Sequence, residues 1–305
     1  VLALSSLGAG SSGPQEVSGP GGLPSDATGP WLSIARWTVR LHVPDQRVRE
    51  GLLGAFSRFV IPTPPPDATC ARLELVAPET RVAEPVLTRR LPSPWRSPEG
   101  ALCLEGEDYS ARLDADGTRA IVTGVGRFPV EVVLRVMLAE ALARRGGLLV
   151  HGVGVLHEAR AALFTGHSGA GKSTLGGLWA EAGGALLSDE LVALWPEPHE
   201  APRAARWWAA GTPWNIGYPR EAELTTVGTL GWDATSRVEP QAAGEVGRML
   251  LLNALLPEAT ASGRSAMMAS AGRLLSEVPP SRLVFARDAS AARVIREVLG
   301  GMWRG

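Results

Sequence analysis

GHSGAGKST, residues 166–174, follows the spacing G-x-x-x-x-G-K-[ST], with Gly166, Gly171, Lys172 and Ser173 at the fixed positions. Glycines let the backbone curl until several N–H groups point inward at a polyphosphate. A helix starting just after the loop would add its positive end. The cradle comprises Gly166, Ser168, Gly169, Ala170, Gly171, Lys172, Ser173 and Thr174. In it Lys172 would neutralise the outer phosphates and the Ser173 hydroxyl would hold Mg2+. Lys172 is also the only lysine in 305 residues, against 29 arginines. The chain uses arginine wherever a generic cation serves. Here it keeps a compact ammonium that fits a tight cradle better than a guanidinium fork. The plainer alternative is a glycine-rich turn capping a helix, with Lys172 as a solvated first-turn residue.

Composition bounds the rest. Hydrophobic residues make up 45% and charged residues 20%, ordinary for a globular chain of one large or two modest domains. A net charge of −1, without a basic stripe or tail, argues against nucleic acid and membrane surfaces as partners. Two cysteines, Cys70 and Cys103, make neither a disulfide framework nor a metal site and are expected buried in a reducing compartment. No apolar run reaches membrane-spanning length, and the opening VLALSSLGAG lacks a basic n-region. The expected location is cytoplasmic.

Residues 1–30, rich in Gly, Ser and Pro, read as a disordered leader. Next, 31–127 reads as a small α+β region. It opens with one strand over 31–43, carried by the alternation Trp37, Val39, Leu41, Val43. A short helix follows at 51–60, then strands near 71–76 and 120–125. DADG (114–117) is the turn of a hairpin joining 109–113 to 118–123. His42 reads as a strand-face residue. FPVEVVLRVMLAEALARRGG (128–147) is an amphipathic helix leading into a nucleotide-binding domain over 128–305. There LLVHGVGVL (148–156) and AALFTG (161–166) form an antiparallel hairpin running into the loop. A three-turn helix ends at Gly183 and Gly184, and ALLSDELVALW (185–195) is a strand. Asp189 and Glu190 inside that apolar strand are expensive unless a cation faces them, and a magnesium–nucleotide complex would serve. Trp207 to Arg220 read as a loop region, packing on the core or lining a substrate groove. The tail alternates helices near 242–256, 265–277 and 289–299 with a strand at 282–285. Met249, Leu250, Leu252, Leu274 and Leu275 are expected to pack.

HGVGVL, a turn, LFTGHSGAGKSTL, a helix closed by Gly-Gly, and LLSDELVAL together resemble the catalytic core of HPr kinase-like proteins. These are bacterial serine kinases whose fold is related to phosphoenolpyruvate carboxykinase. The likeness covers about 45 residues, 149–195, and GTPW (211–214) extends it. It implies an α/β (α+β) fold with a mixed-sheet P-loop kinase core, ATP and Mg2+ as cofactors, and a protein, peptide or small-molecule hydroxyl as acceptor. It places His151 near the transferred phosphate and makes Asp189 the general base. Ser173, Asp189 and Glu190 fall on the metal side, Glu190 standing where the family has a second aspartate. The family's later glycine- and arginine-rich segments, tied to dephosphorylation of HPr, are not recognisable. Phosphoryl transfer needs a further cation, and with no second lysine the candidates are Arg220 and then Arg237. The competing expectation is a nucleotide-binding regulatory module without transfer. Homo-oligomer formation is left open.

Overall fold

A computed structural model describes residues 29–66, 68, 70–78, 94–197, 206–258 and 260–300. Among these, sixteen strands form two mixed sheets accompanied by six α-helices. The expected leader lies outside the described residues except for Gly29 and Pro30. Pro30 already belongs to the fold, since Leu41 N–H donates to its carbonyl at 3.0 Å.

The first sheet begins with β1 (Trp31–Ile34) and β2 (Trp37–His42), an antiparallel pair rather than one strand. Ala35 and Arg36 make the tight turn between them at φ +50° and +59°. A two-residue turn with both φ positive matches the right-handed strand twist, although Asn-Gly is its usual composition. Arg36 is held there by Glu197 and Glu221 and by stacking on Trp195 and Trp208. Helix α1 (Gln46–Ala55) starts earlier than its apolar residues suggest, because Asp45 caps it by accepting from Val48 N–H at 2.9 Å. A single 3-10 turn over Ser57–Phe59 leads into β3 (Val60–Ile61). Then come β4 (Cys70–Val76), β5 (Trp95–Arg96), β6 (Leu102–Glu105), β7 (Ser110–Leu113) and β8 (Arg119–Thr123). The sheet order is β3-β1-β2-β4-β8-β7-β6-β5. The β7–β8 hairpin turns where DADG places it, with Leu113 opposite Ala120 and Gly117 at φ +77°. The two cysteines depart from expectation. Ala71, Leu73 and Leu75 take the inner face of β4, which leaves Cys70 exposed, and Cys103 is half-buried on β6.

Helix α2 (Arg127–Arg144) is apolar around most of its circumference, and it packs against β4, β7 and β8 on one side and β9 (Leu148–His157) and β12 (Leu191–Glu197) on the other. One core therefore runs from Leu32, Val39, Leu73 and Val122 through α2 to Leu149, Leu191, Trp195 and Trp214. The division expected at residue 128 falls inside this shared core.

In the second sheet β9 turns at Glu158 (φ +54°) into β10 (Arg160–Thr165), antiparallel with Thr165 opposite Gly152. Helix α3 (Lys172–Glu181) ends with Gly183 at φ +77°. The expected strand over 185–195 is divided into β11 (Ala185–Ser188) and β12, both lying along β9. Trp207 to Gly211 belong to β13 (Arg206–Gly211), a strand rather than the expected loop. β14 (Glu221–Trp232), absent from the sequence reading, is the longest strand. It pairs parallel to β10 on one edge, and on the other with β13 and then with β16 (Pro280–Phe285). β9, β12, β13, β14 and β10 thus close into a ring of hydrogen-bonded strands. β15 (Arg237–Pro240) pairs antiparallel to β16 at the far edge.

Alternation along β12 serves two cores. Val192 and Leu194 face the one closed by α4 (Ala243–Asn253) and α5 (Ala261–Glu277), while Leu191, Ala193 and Trp195 face α2. A third core joins α3 to α6 (Ser290–Leu299) through Leu175, Trp179, Phe285 and Ile295. In the tail Leu250 and Leu274 are buried as expected, whereas Leu252 is 50% exposed on the outer face of α4. No helix among the described residues is long and apolar enough to cross a membrane.

Candidate nucleotide-binding and phosphotransfer site

The loop between β10 and α3 is shaped by its glycines. Gly169 and Gly171 sit at φ +82° and +102°, conformations that L side chains rarely adopt. A Cβ on Gly171 would also come within 2.6 Å of the Trp232 ring and 2.9 Å of Phe285. On Gly166 a Cβ would lie 2.8 Å from Ala170. No side chain caps the N-terminus of α3, so the N–H groups of its first turn are left for another acceptor. His167, Ser168, Gly169 and Ser173 are exposed there, and Thr174 is half-buried. An anion placed at this helix N-terminus would meet those N–H groups.

Lys172 is not a solvated first-turn residue. Its side chain is buried, and Nζ donates to the carbonyls of Gly166 at 2.9 Å and His167 at 3.1 Å. Burial holds its pKa below the usual lysine range. The ammonium thus lies in the concavity of its own loop.

The wall beside the loop comes from β9 and the β11–β12 junction. His151, half-buried on β9, has its pKa lowered to about 4, first by burial and then by the nearby Lys172 charge. Its carbonyl accepts from the Thr165 hydroxyl at 2.8 Å, tying the strand to the mouth of the loop. At that pKa the imidazole is neutral near pH 7, so it can exchange hydrogen bonds with a phosphate but brings no positive charge.

Asp189 stands at the break between β11 and β12. It is buried, and its Cβ lies 3.7 Å from where a Cβ on Gly176 of α3 would sit. Having no side chain, Gly176 lets the carboxylate approach the helix one turn from Lys172. One carboxylate oxygen accepts from Ile216 N–H and the other from Asn215 Nδ2, both at 2.9 Å. Burial outweighs these bonds and holds its pKa above the usual range.

Glu190 turns another way. The cation facing it is Arg135 of α2, whose Nη2 lies 3.6 Å from Glu190 Oε1. Arg135 is buried over the Trp214 ring, with its Nε unpartnered and its pKa lowered by desolvation. Burial raises the Glu190 pKa while Arg135 opposes that shift. Glu190, expected on the metal side, is thus engaged by a protein cation. Nothing in its sequence neighbourhood shows this, because Arg135 is 55 positions away.

Of the two arginine candidates, Arg237 is already neutralised by Asp233 at 2.7 Å and Glu239 at 2.6 Å. Arg220 is exposed, its guanidinium 5.5 Å from the Tyr218 ring centroid, in the loop that carries Asn215 and Ile216. The loop residues, Lys172, His151 and Asp189 therefore line one region. Arg220 stacks on Tyr218 instead, and Arg237 is spent on Asp233 and Glu239. Sequence reasoning missed Arg135, Asn215 and the Trp232 ring against Gly171. Among the described residues no group of three or more His, Cys, Asp or Glu is placed to hold a metal ion. Magnesium on a nucleotide commonly takes only one or two protein oxygens, and the Ser173 hydroxyl and Asp189 carboxylate fit that role. No protein-family model matches the chain, and no curated protein is significantly similar to it.

Proposed function

We propose that the chain is an ATP-dependent kinase of the HPr kinase-like type, transferring the γ-phosphoryl group to a serine hydroxyl of a protein or peptide. One observation carries this reading. A buried aspartate with a raised pKa stands beside the first turns of the helix that opens with the chain's single lysine.

Each group has work suited to its surroundings. The α3 amides and the loop N–H groups would bind the phosphates, and Lys172 would shift from its own carbonyls onto the β,γ-oxygens. Bound Mg2+, held by Ser173 and Asp189, would neutralise phosphate charge. Asp189 would accept the proton of the attacking hydroxyl. Asn215 and the Ile216 N–H fix the carboxylate in place. Neutral His151 would donate to, or accept from, the group in transit. Catalysis of this kind is mostly positioning and electrostatics.

The engagement of Glu190 by Arg135 favours one second reading, a nucleotide-binding module without transfer. Calorimetric titration with ATP and Mg2+ tests the common premise. Lys172→Ala removes a charge-assisted contact worth about 1.5–3 kcal/mol, so affinity is expected to fall roughly 10- to 100-fold. Equal affinity in wild type and variant would overturn both readings.

A further inference from the structure

The segment after β13 lies against the end of β11. Tyr218 N–H donates to Leu187 O at 2.9 Å, Ser188 and Gly217 form an antiparallel bridge, and Asp189 N–H donates to Ile216 O at 3.1 Å. These contacts hold Tyr218 two residues from Asp189 along an extended ladder, about 7 Å.

Two guanidiniums stack on the Tyr218 ring. Arg58 lies 4.5 Å from the centroid and Arg220 5.5 Å. Arg58 comes from the 3-10 turn of the first region and also donates to Gly217 O at 3.5 Å. Among the described residues neither has a carboxylate partner. Glu221, beside Arg220 in sequence, is engaged by Arg36, and Asp189 by Asn215 and the Ile216 N–H. Next to them Ile216 is 46% exposed, an apolar contact beside the cations.

We infer that Arg58 and Arg220 form the recognition site for the phosphoryl acceptor, and that the acceptor is an acidic peptide segment. This rests on the phosphotransfer reading above. The serine hydroxyl lies at Asp189, and an Asp or Glu of the same segment lies on the two guanidiniums at Tyr218. In the step itself the serine oxygen bonds to the γ-phosphorus as the bond to ADP breaks, and the hydroxyl proton passes to Asp189. The first region thereby supplies half of the substrate-reading pair from outside the phosphate loop's own layer.

The test uses two fluorescent decapeptides, one with Glu two residues to each side of a central Ser and one with Gln at those positions. Binding is read by anisotropy and transfer by label from γ-labelled ATP. The proteins are wild type, Arg58→Gln/Arg220→Gln, which keeps the polar stems but removes the charge, and Arg248→Gln, which removes an exposed charge on α4. Wild type and Arg248→Gln are expected to bind the acidic peptide at least about tenfold more tightly than the neutral one. That preference should shrink with added salt and vanish in the double variant. Equal binding of the two peptides by wild type, or a preference surviving in the double variant, would overturn the inference. Selective acidic binding without phosphoryl transfer would leave this site standing and overturn the kinase reading instead.

Discussion

His151 makes the site a source of acid sensitivity. Its pKa is about 4 in the fold, against about 6.5 in an unfolded chain. Between those values the unfolded state binds more protons, so stability rises with pH across that window. The contribution is complete above pH 6.5 and is lost as pH falls through 4. A difference of about 2.5 units at about 1.4 kcal/mol each gives an upper bound near 3.5 kcal/mol. Because His151 is only half-buried, about 2 kcal/mol is the working figure. His151→Gln keeps a polar side chain of similar reach and cannot titrate. Urea unfolding at half-unit steps from pH 4.5 to 7.5, on both proteins, isolates the histidine, since the carboxylates largely cancel in the difference. The wild type should lose stability relative to the variant below pH 6.5, approaching 2 kcal/mol at the acid end. Parallel curves would refute the burial of a neutral imidazole beside Lys172.

Other perturbations follow from neighbouring contacts. Gly171→Ala forces a side chain into φ +102° and against Phe285, which is fully buried and cannot yield. Thermal unfolding should show a loss of about 2–4 kcal/mol, and ATP titration a weakened site, whereas Gly177→Ala, with open space at its Cβ, should be neutral or mildly stabilising. Arg135→Met leaves Glu190 without its cation and should cost about 2–4 kcal/mol in chemical denaturation. Adding Glu190→Gln to it should restore at least half of that loss. A double-variant cycle with no coupling would mean that the 3.6 Å pair contributes nothing.

Much of the second sheet was legible because local signals agreed there. The β9–β10 hairpin, the loop and α3 with its glycine stop each carry their own turn chemistry, as does the β7–β8 turn of the first sheet. The elements that escaped lack such signals. Ala35 and Arg36 turn β1 into β2 without glycine or asparagine, through contacts of Arg36 with Glu197 and Glu221, which are 161 and 185 positions away. β14 mixes Glu221, Glu223, Thr225 and Thr226 with its apolar residues, so it reads as polar. Its place between β10 and β16 makes it central. At the site the loop and Asp189 were visible as residue types. The partner of Glu190 was not, since only the packing of α2 across β12 brings Arg135 to it.

Phosphoryl transfer itself is tested most directly by following label from γ-labelled ATP with Mg2+ into the acidic serine peptide, using wild type, Lys172→Ala and Asp189→Asn. Wild type should label the peptide. Asp189→Asn should still bind ATP but lose roughly 10²-fold or more in rate, and Lys172→Ala should lose both binding and transfer. Tight ATP binding by wild type with no label reaching any hydroxyl, and no change in Asp189→Asn, would show a nucleotide-binding module rather than a kinase.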